Sequence, residues 1–215
     1  MVTKGPPPRS LFAAGALRPV LDAYAQINQL KQLFRQGWLR RGVPRERCET
    51  VAEHTAGVAW LALLLAPGLP GLDADRALRI ALIHDLGESH AGDITPSDGV
   101  SASEKHARER LSLLQIVTGL PRGEEWLALW DEYESGETPE ARFVREIDRL
   151  EMGLQAVIYG AESLADPSEF IVSARQTILD VTSRSMLEEF IAAPNNAGRL
   201  HMAPAKSLDE KRKRP

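Results

Sequence analysis

The segment Ile80–Pro96, IALIHDLGESHAGDITP, brings two histidines and three carboxylates into seventeen positions. Apolar residues recur before it at helical spacing, so His84 stacks over Ile80 and Ala81, and Asp85 continues the side marked by Leu78 and Leu82. Two more polar residues fall on stripes that are otherwise apolar: His54, on the face of Val51 and Val58, and Asp148, one turn after Val144 and beside Ile147. Buried carboxylates must be paired or bind a cation, because an isolated buried charge is very costly. Two imidazoles and two carboxylates from three helices suit a divalent transition metal. Each residue alone has a plainer role: a core histidine can simply be hydrogen-bonded, and Asp148 can pair with Arg142 or Arg149. The set, with His84 and Asp85 adjacent, points to a metal.

The elements that must position these residues are helical throughout. Pro19 to Phe34 reads as a first helix with Val20, Ile27, Leu30 and Phe34 inward. TVAE at Thr50 is a capping box that opens the helix of His54, which APGLPG ends. A third helix starts after Asp73 and ends near Gly87; SASE at Ser101 and GEEWLALWDEYES mark the next two. Thr138-Pro139 is a cap followed by proline at the first helical position and starts the helix of Asp148, to about Tyr159. DPSE at Asp166 opens a last helix to about Ala193. The expectation is an all-α domain, a single bundle of six to seven helices over residues 19–193. Residues 1–18 read as a disordered leader and 194–215 as a flexible basic tail.

The 215 residues carry a formal charge of −4, which offers no attraction to nucleic acid or to an anionic membrane. The longest apolar run, Ala56 to Ala66, is short of the roughly 20 residues a spanning helix needs. The lone Cys48 can form no internal disulfide; it fits a reducing compartment, so the cytoplasm is expected, and it reads as a small hydrophobe. There is no phosphate-binding glycine loop, no GxSxG and no cysteine pair for zinc. His90, His106 and His201 read as secondary: a loop residue near the site, a surface residue and a tail residue.

His54, the His84-Asp85 pair and Asp148 in this order resemble the H…HD…D signature of the HD-domain superfamily of metal-dependent phosphohydrolases. FRQGWLRRGV, ETVAEHT, HDLGESHAGDITP and EIDRLEMGLQAVIYG stand in the order seen in the HDDC2 and YfbR-like group of 5'-deoxynucleotidases, a likeness that runs from about Leu30 to Tyr159. The resemblance implies His54, His84, Asp85 and Asp148 as metal ligands. It implies Glu88 beside the scissile phosphate, Asp93 as a second acidic residue of the substrate pocket, and Arg35 and Trp38 as the residues that meet the nucleotide. YfbR-type sequences have that arginine and tryptophan adjacent, whereas here Gln36 and Gly37 separate them. Arg35, Arg40 and Arg41 are all candidates to approach phosphate.

Four protein ligands would close a tetrahedral zinc site, so a six-coordinate ion with open positions, manganese, cobalt or ferrous iron, with magnesium also possible, suits catalysis better. Glu88 would orient the attacking water or protonate the departing 5'-oxygen. The expected function is a 5'-deoxynucleotidase with one divalent ion, a small-molecule nucleotide substrate and a homodimeric assembly. Two alternatives stand beside it: an HD phosphohydrolase acting on (p)ppGpp, a dNTP or a cyclic nucleotide, and a non-catalytic helical binding protein with a structural metal.

Overall fold

The structure, a computed structural model, describes residues 1–193. Its helices are α1 (Pro19–Ile27), α2 (Gln36–Arg40), α3 (Val51–Leu65), α4 (Ala74–Ile83), α5 (Glu88–Ala91), α6 (Ala102–Val117), α7 (Gly123–Ser135), α8 (Pro139–Ala161), α9 (Ser168–Thr177) and α10 (Val181–Ala192). No strand lies among the described residues, only two isolated bridges, Thr3 with Leu33 and Phe34 with Thr50. The all-α expectation is met. The count exceeds six to seven because two one-turn helices, α2 and α5, flank the chemistry-bearing segments and because the last helix is broken in two.

Capping explains why the long helices begin where they do. Thr50 and Glu53 form the reciprocal box that opens α3, and Asp73, Ser101, Thr138 and Asp180 each accept a backbone N–H with the side chain at the start of α4, α6, α8 and α10. Each such cap is worth about 1 kcal/mol. The break between α9 and α10 falls at Ile178, whose extended backbone turns a wholly buried side chain into the core, and Asp180 then caps α10. The first helix also ends early, at Ile27, and continues as a tight 3-10 turn, Asn28–Lys31. Leu30 and Phe34 are buried as expected, but Val20 is exposed.

Helix α3 lies between α4 and α8, and this trio is the centre of the bundle. Val51, Val58, Ala62, Ile80, Val144 and Ile147 fill it, joined by Leu113 from α6 and Trp130 from α7. Burying a side chain of the size of Ile147 stabilises by ~1.5–3 kcal/mol. A second cluster packs Phe34, Trp38, Tyr159 and Ile171 where α2, α8 and α9 meet. Val51–Gly68 has a mean hydropathy of 1.2 and is long enough to cross a membrane, yet it carries His54 and Thr55 on the side buried in the bundle. Its apolarity is that of a core helix with α4 and α8 on its flanks. Its outer face shows Trp60, Leu63 and Leu64 to solvent.

The segment of residues 1–18 precedes α1. It contains a 3-10 turn at Pro8–Leu11, Lys4 donates its N–H to the Gln32 carbonyl (2.7 Å), and the Gln36 side-chain amide bonds both backbone groups of Val2. These main-chain contacts hold a segment that has almost no buried apolar side chain of its own. The expected basic tail, with His201, lies outside the described residues.

Candidate metal centre

His54 sits on the second turn of α3, and its ring is held from behind. Its Nδ1 meets Glu151 Oε2 on α8 at 2.6 Å. His84 is the residue on which α4 ends, and its Nδ1 lies 2.7 Å from the Ala81 carbonyl. A carbonyl can only accept, so His84 Nδ1 carries the hydrogen and Nε2 keeps a bare lone pair. The Glu151 oxygen, accepting at the same ring position, imposes the same tautomer on His54. Both Nε2 atoms therefore present lone pairs, and they converge on one point. Asp85 Oδ2 lies 3.2 Å from His84 Nε2 and 3.6 Å from His54 Nε2, and Asp148 Oδ1 lies 3.2 Å from His54 Nε2.

His54 Nε2, His84 Nε2 and Asp85 Oδ2 are buried without a hydrogen-bond partner among the described residues. Three orphaned atoms within 4.8 Å of one another, backed by hydrogen bonds on the far side of both rings, form a group that could hold a metal ion. Asp148 completes it from α8; its other oxygen, Oδ2, accepts from the Tyr133 hydroxyl (3.1 Å) and stands 4.0 Å from Arg149 Nε. Arg142, the other partner weighed for Asp148, is spent on the Glu137 carbonyl.

The electrostatics agree. Burial and Arg35 press the His54 pKa down, but the carboxylates of Glu151 and Asp148 outweigh them and it lies well above the usual histidine value. Against burial, which acts the other way, His84 and His54 hold Asp85 far below the usual carboxylate range, and His54 and Arg149 do the same for Asp148. All of these shifts favour positive charge at the point where the four side chains meet, which is the charge a cation would supply.

His84, Asp85 and Asp148 form one wall of a cavity of about 750 Å³ that also includes Arg35, Trp38, Glu88 and Asp93. Gly92 leaves α5 at φ +86°, a conformation a side chain strongly disfavours, and this turn swings Asp93 back to α2. There Asp93 accepts from Arg35 Nη1 (3.0 Å) and from the backbone N–H of Gln36. Glu88, on the first turn of α5, is 3% exposed and its Oε2 has no partner among the described residues. Burial, Asp85 and Asp93 raise its carboxyl well above the usual range, against the pull of Arg35 and Lys105. Trp38 is 2% exposed: Phe170 covers it with ring centroids 3.9 Å apart, Tyr159 meets it edge-on, and its Nε1–H donates to Glu49 Oε1 (2.7 Å). It lines the cavity as part of the second core cluster, with its one polar group already used.

Of the other arginines expected near phosphate, Arg40 bonds Thr95, Ser97 and Asp98, and Arg41 pairs with Glu169. His90 is spent on Gln26 and lies apart from the metal cavity. His106, expected at the surface, keeps 44% of its side chain exposed while it lies against Trp130, lines the cavity and pairs with Glu134 (3.0 Å). Burial pushes the Cys48 thiol up to about 12, the value of an inert small side chain. Glu151 and Tyr133 are the site residues that motif matching passed over. Glu151 had a signal: a carboxylate three residues after Asp148, on the face that should be apolar.

The sequence profile described as HD domain matches residues 27–189. A human protein named 5'-deoxynucleotidase HDDC2 is 38% identical over 69% of this chain and 72% of its own length. A Pyrococcus horikoshii protein of known structure is 33% identical with a TM-score of 0.65, covering 84% of this chain and 99% of that one. A crystal structure from Magnetospirillum magnetotacticum, described as a predicted metal-dependent phosphohydrolase, is 28% identical with a TM-score of 0.61, over 80% of this chain and 94% of that one. With its helical bundle, its convergent imidazoles and these relatives, the chain belongs to the HD-domain family.

Proposed function

We propose that this protein is a metal-dependent 5'-deoxynucleotidase, which hydrolyses deoxyribonucleoside 5'-monophosphates to the deoxyribonucleoside and phosphate. The observation that carries the reading is the convergence of two imidazole Nε2 atoms and an Asp85 oxygen, all without hydrogen-bond partners among the described residues, beside a cavity lined by the buried Glu88. Relatives at 38% identity carry the name 5'-deoxynucleotidase. His54, His84, Asp85 and Asp148 would hold one divalent ion, manganese, cobalt or ferrous iron before zinc, with magnesium also able to serve. When bound, such an ion supplies a Lewis acid for a phosphoryl oxygen and acidifies water.

The remaining steps belong to the side chains. Burial and the neighbouring Asp85 and Asp93 favour the protonated form of the Glu88 carboxyl, whose proton can pass to the departing 5'-oxygen. Once ionised, the same carboxylate accepts a proton from water. Asp93 holds the Arg35 guanidinium in place, and Arg35 in turn offers its remaining N–H groups to the cavity. Trp38 and Phe170 form an apolar wall against which a sugar fits. The reading carries with it a cytoplasmic homodimer with no nucleic-acid partner, which size-exclusion chromatography with light scattering tests for the assembly.

The test is phosphate release from deoxyribonucleotide and ribonucleotide monophosphates, dNTPs and (p)ppGpp, by protein stripped with EDTA and then given manganese or cobalt. Release from deoxyribonucleoside monophosphates that needs the metal is expected. Release only from a dNTP or (p)ppGpp would replace the substrate class, and no release by protein shown to hold the metal would replace the enzyme with a binding module.

A further inference from the structure

We infer that Arg149, with Arg145 one turn before it on α8, receives the phosphate group of the substrate, a role that motif matching gave to Arg35, Arg40 or Arg41. The inference rests on the nucleotidase reading for its substrate, although the site itself is defined by geometry. Five basic side chains line the metal cavity: Arg35, Lys105, His106, Arg145 and Arg149. Three already have acid partners. Arg35 is bonded to Asp93, Lys105 lies 3.4 Å from Glu109, and His106 lies 3.0 Å from Glu134. Arg40 and Arg41 are not in the cavity wall and are paired with Asp98 and Glu169.

Arg145 and Arg149 are different. Among the described residues Arg145 makes one long contact, to the Glu134 carbonyl (3.4 Å), and its guanidinium stands 5.9 Å from the Tyr133 ring centroid. Arg149 has no hydrogen bond among them, and its Nε lies 4.0 Å from Asp148 Oδ2 with the side chain about half exposed. Asp148 is thus shared: one oxygen faces His54 and the metal position, while the other faces Tyr133 and Arg149. A phosphoryl oxygen at the metal therefore comes within one carboxylate's width of the Arg149 guanidinium. Helix geometry produces this arrangement. Successive residues are turned about 100°, so a buried ligand at 148 is succeeded by a residue directed at the cavity mouth, and Arg145 stands four residues back on the same side. A planar guanidinium with free N–H groups is suited to bidentate capture of phosphate.

The test is calorimetric titration of inorganic phosphate into manganese-loaded wild type, Arg149→Ala, Arg149→Lys and the control Arg142→Ala, with metal content measured in each, alongside KM and kcat for a deoxyribonucleoside monophosphate. Arg149→Ala is expected to weaken phosphate binding roughly 10- to 100-fold and to raise KM, with metal content unchanged. Arg149→Lys, which keeps the charge but loses the fork, should fall between, and Arg142→Ala should match wild type. Phosphate affinity within twofold of wild type in Arg149→Ala would overturn the inference. So would loss of the metal together with phosphate, which would make Arg149 a support of Asp148 alone. Wild type that binds phosphate through Arg149 but hydrolyses no nucleotide would overturn the substrate reading and leave the phosphate site standing.

Discussion

Replacing Gly57 with alanine should loosen the metal without touching a ligand. Gly57 lies on α3 one turn after His54, and a Cβ there would stand 2.6 Å from Glu151 Oε1, 2.9 Å from its Cγ and 3.1 Å from its Cδ. All are too close, so the Glu151 side chain must move. It is a long side chain and can do so at modest steric cost, typically about 1 kcal/mol at the low end of overpacking. Alanine in place of glycine within a helix returns about 1 kcal/mol. Global stability should therefore change little. What is lost is the 2.6 Å contact between Glu151 and His54 Nδ1, which fixes the tautomer that leaves Nε2 bare. Losing such a support behind a ligating histidine costs roughly 10- to 100-fold in metal affinity. The assay is manganese affinity by competition with a chelator, with a urea melt of the stripped protein in parallel. Glu151→Gln, which keeps an acceptor but not the charge, should fall between wild type and Gly57→Ala. Unchanged manganese affinity in Gly57→Ala would refute the claim that Glu151 orients His54. A large loss of stability in the stripped protein would refute the energy balance.

Glu88→Gln should keep metal and fold, because no other residue depends on its Oε2, and should lose about 10²- to 10⁴-fold in kcat, as read from phosphate release. Trp38→Phe should cost ~1–3 kcal/mol in a denaturant melt, since it leaves Glu49 without its buried donor, and Trp38→Ala should cost ~3–5 kcal/mol through the cavity it opens. Unaltered stability in Trp38→Ala would refute its place in the second core cluster. Glu109 is pushed up to about 7 by burial, against the pull of Lys105. Its folded pKa lies above its unfolded one, so the folded state binds the extra proton between about pH 4.5 and 7, and stability falls as pH rises through that window. Glu109→Gln should accordingly raise Tm at pH 8 and do so less at pH 5; a gain that is larger at pH 5 would contradict the sign. EDTA should lower Tm, and manganese at about 100 times its Kd should restore about 2.7 kcal/mol.

The clustered imidazoles and carboxylates were legible because they break a pattern. His54 and Asp148 interrupt apolar stripes that α3 and α8 do bury, and the caps at Thr50, Asp73, Ser101 and Thr138 declare their helices in four-residue words. What sequence spacing could not carry was direction. The helix expected to run to near Gly87 ends at Ile83, so His84 and Asp85 lie on the turn beyond it rather than on a helical face. Trp38 reads equally well as a nucleotide platform or a core residue, and no local pattern shows that Phe170 arrives on it from a distant helix, so that the pair packs together in the cavity wall. The pairing of Arg35 with Asp93 and of Arg40 with Asp98 joins residues nearly sixty positions apart, which no local pattern encodes. The break at Ile178 was hidden because a buried isoleucine in an extended turn and one in a helix leave the same mark in a hydropathy pattern.

The turn that ends α4 also decides how the chain can vary in length. The four ligands reach the site from α3, from the turn after α4 and from α8, and the connections between these elements run over the surface at Leu69–Leu72 and Thr118–Arg122. Residues added in either connection lengthen the chain without moving a ligand. Between Ile83 and Glu88 there is no such freedom. Trp130 Nε1–H is fastened to the His84 carbonyl (3.1 Å), and Glu88 donates its N–H to the Asp85 carbonyl (3.0 Å). One inserted residue there would rotate the downstream side chains by about 100° and send Asp85 or Glu88 out of the cavity. The protein can absorb insertions at its loops and tolerates none across five consecutive positions.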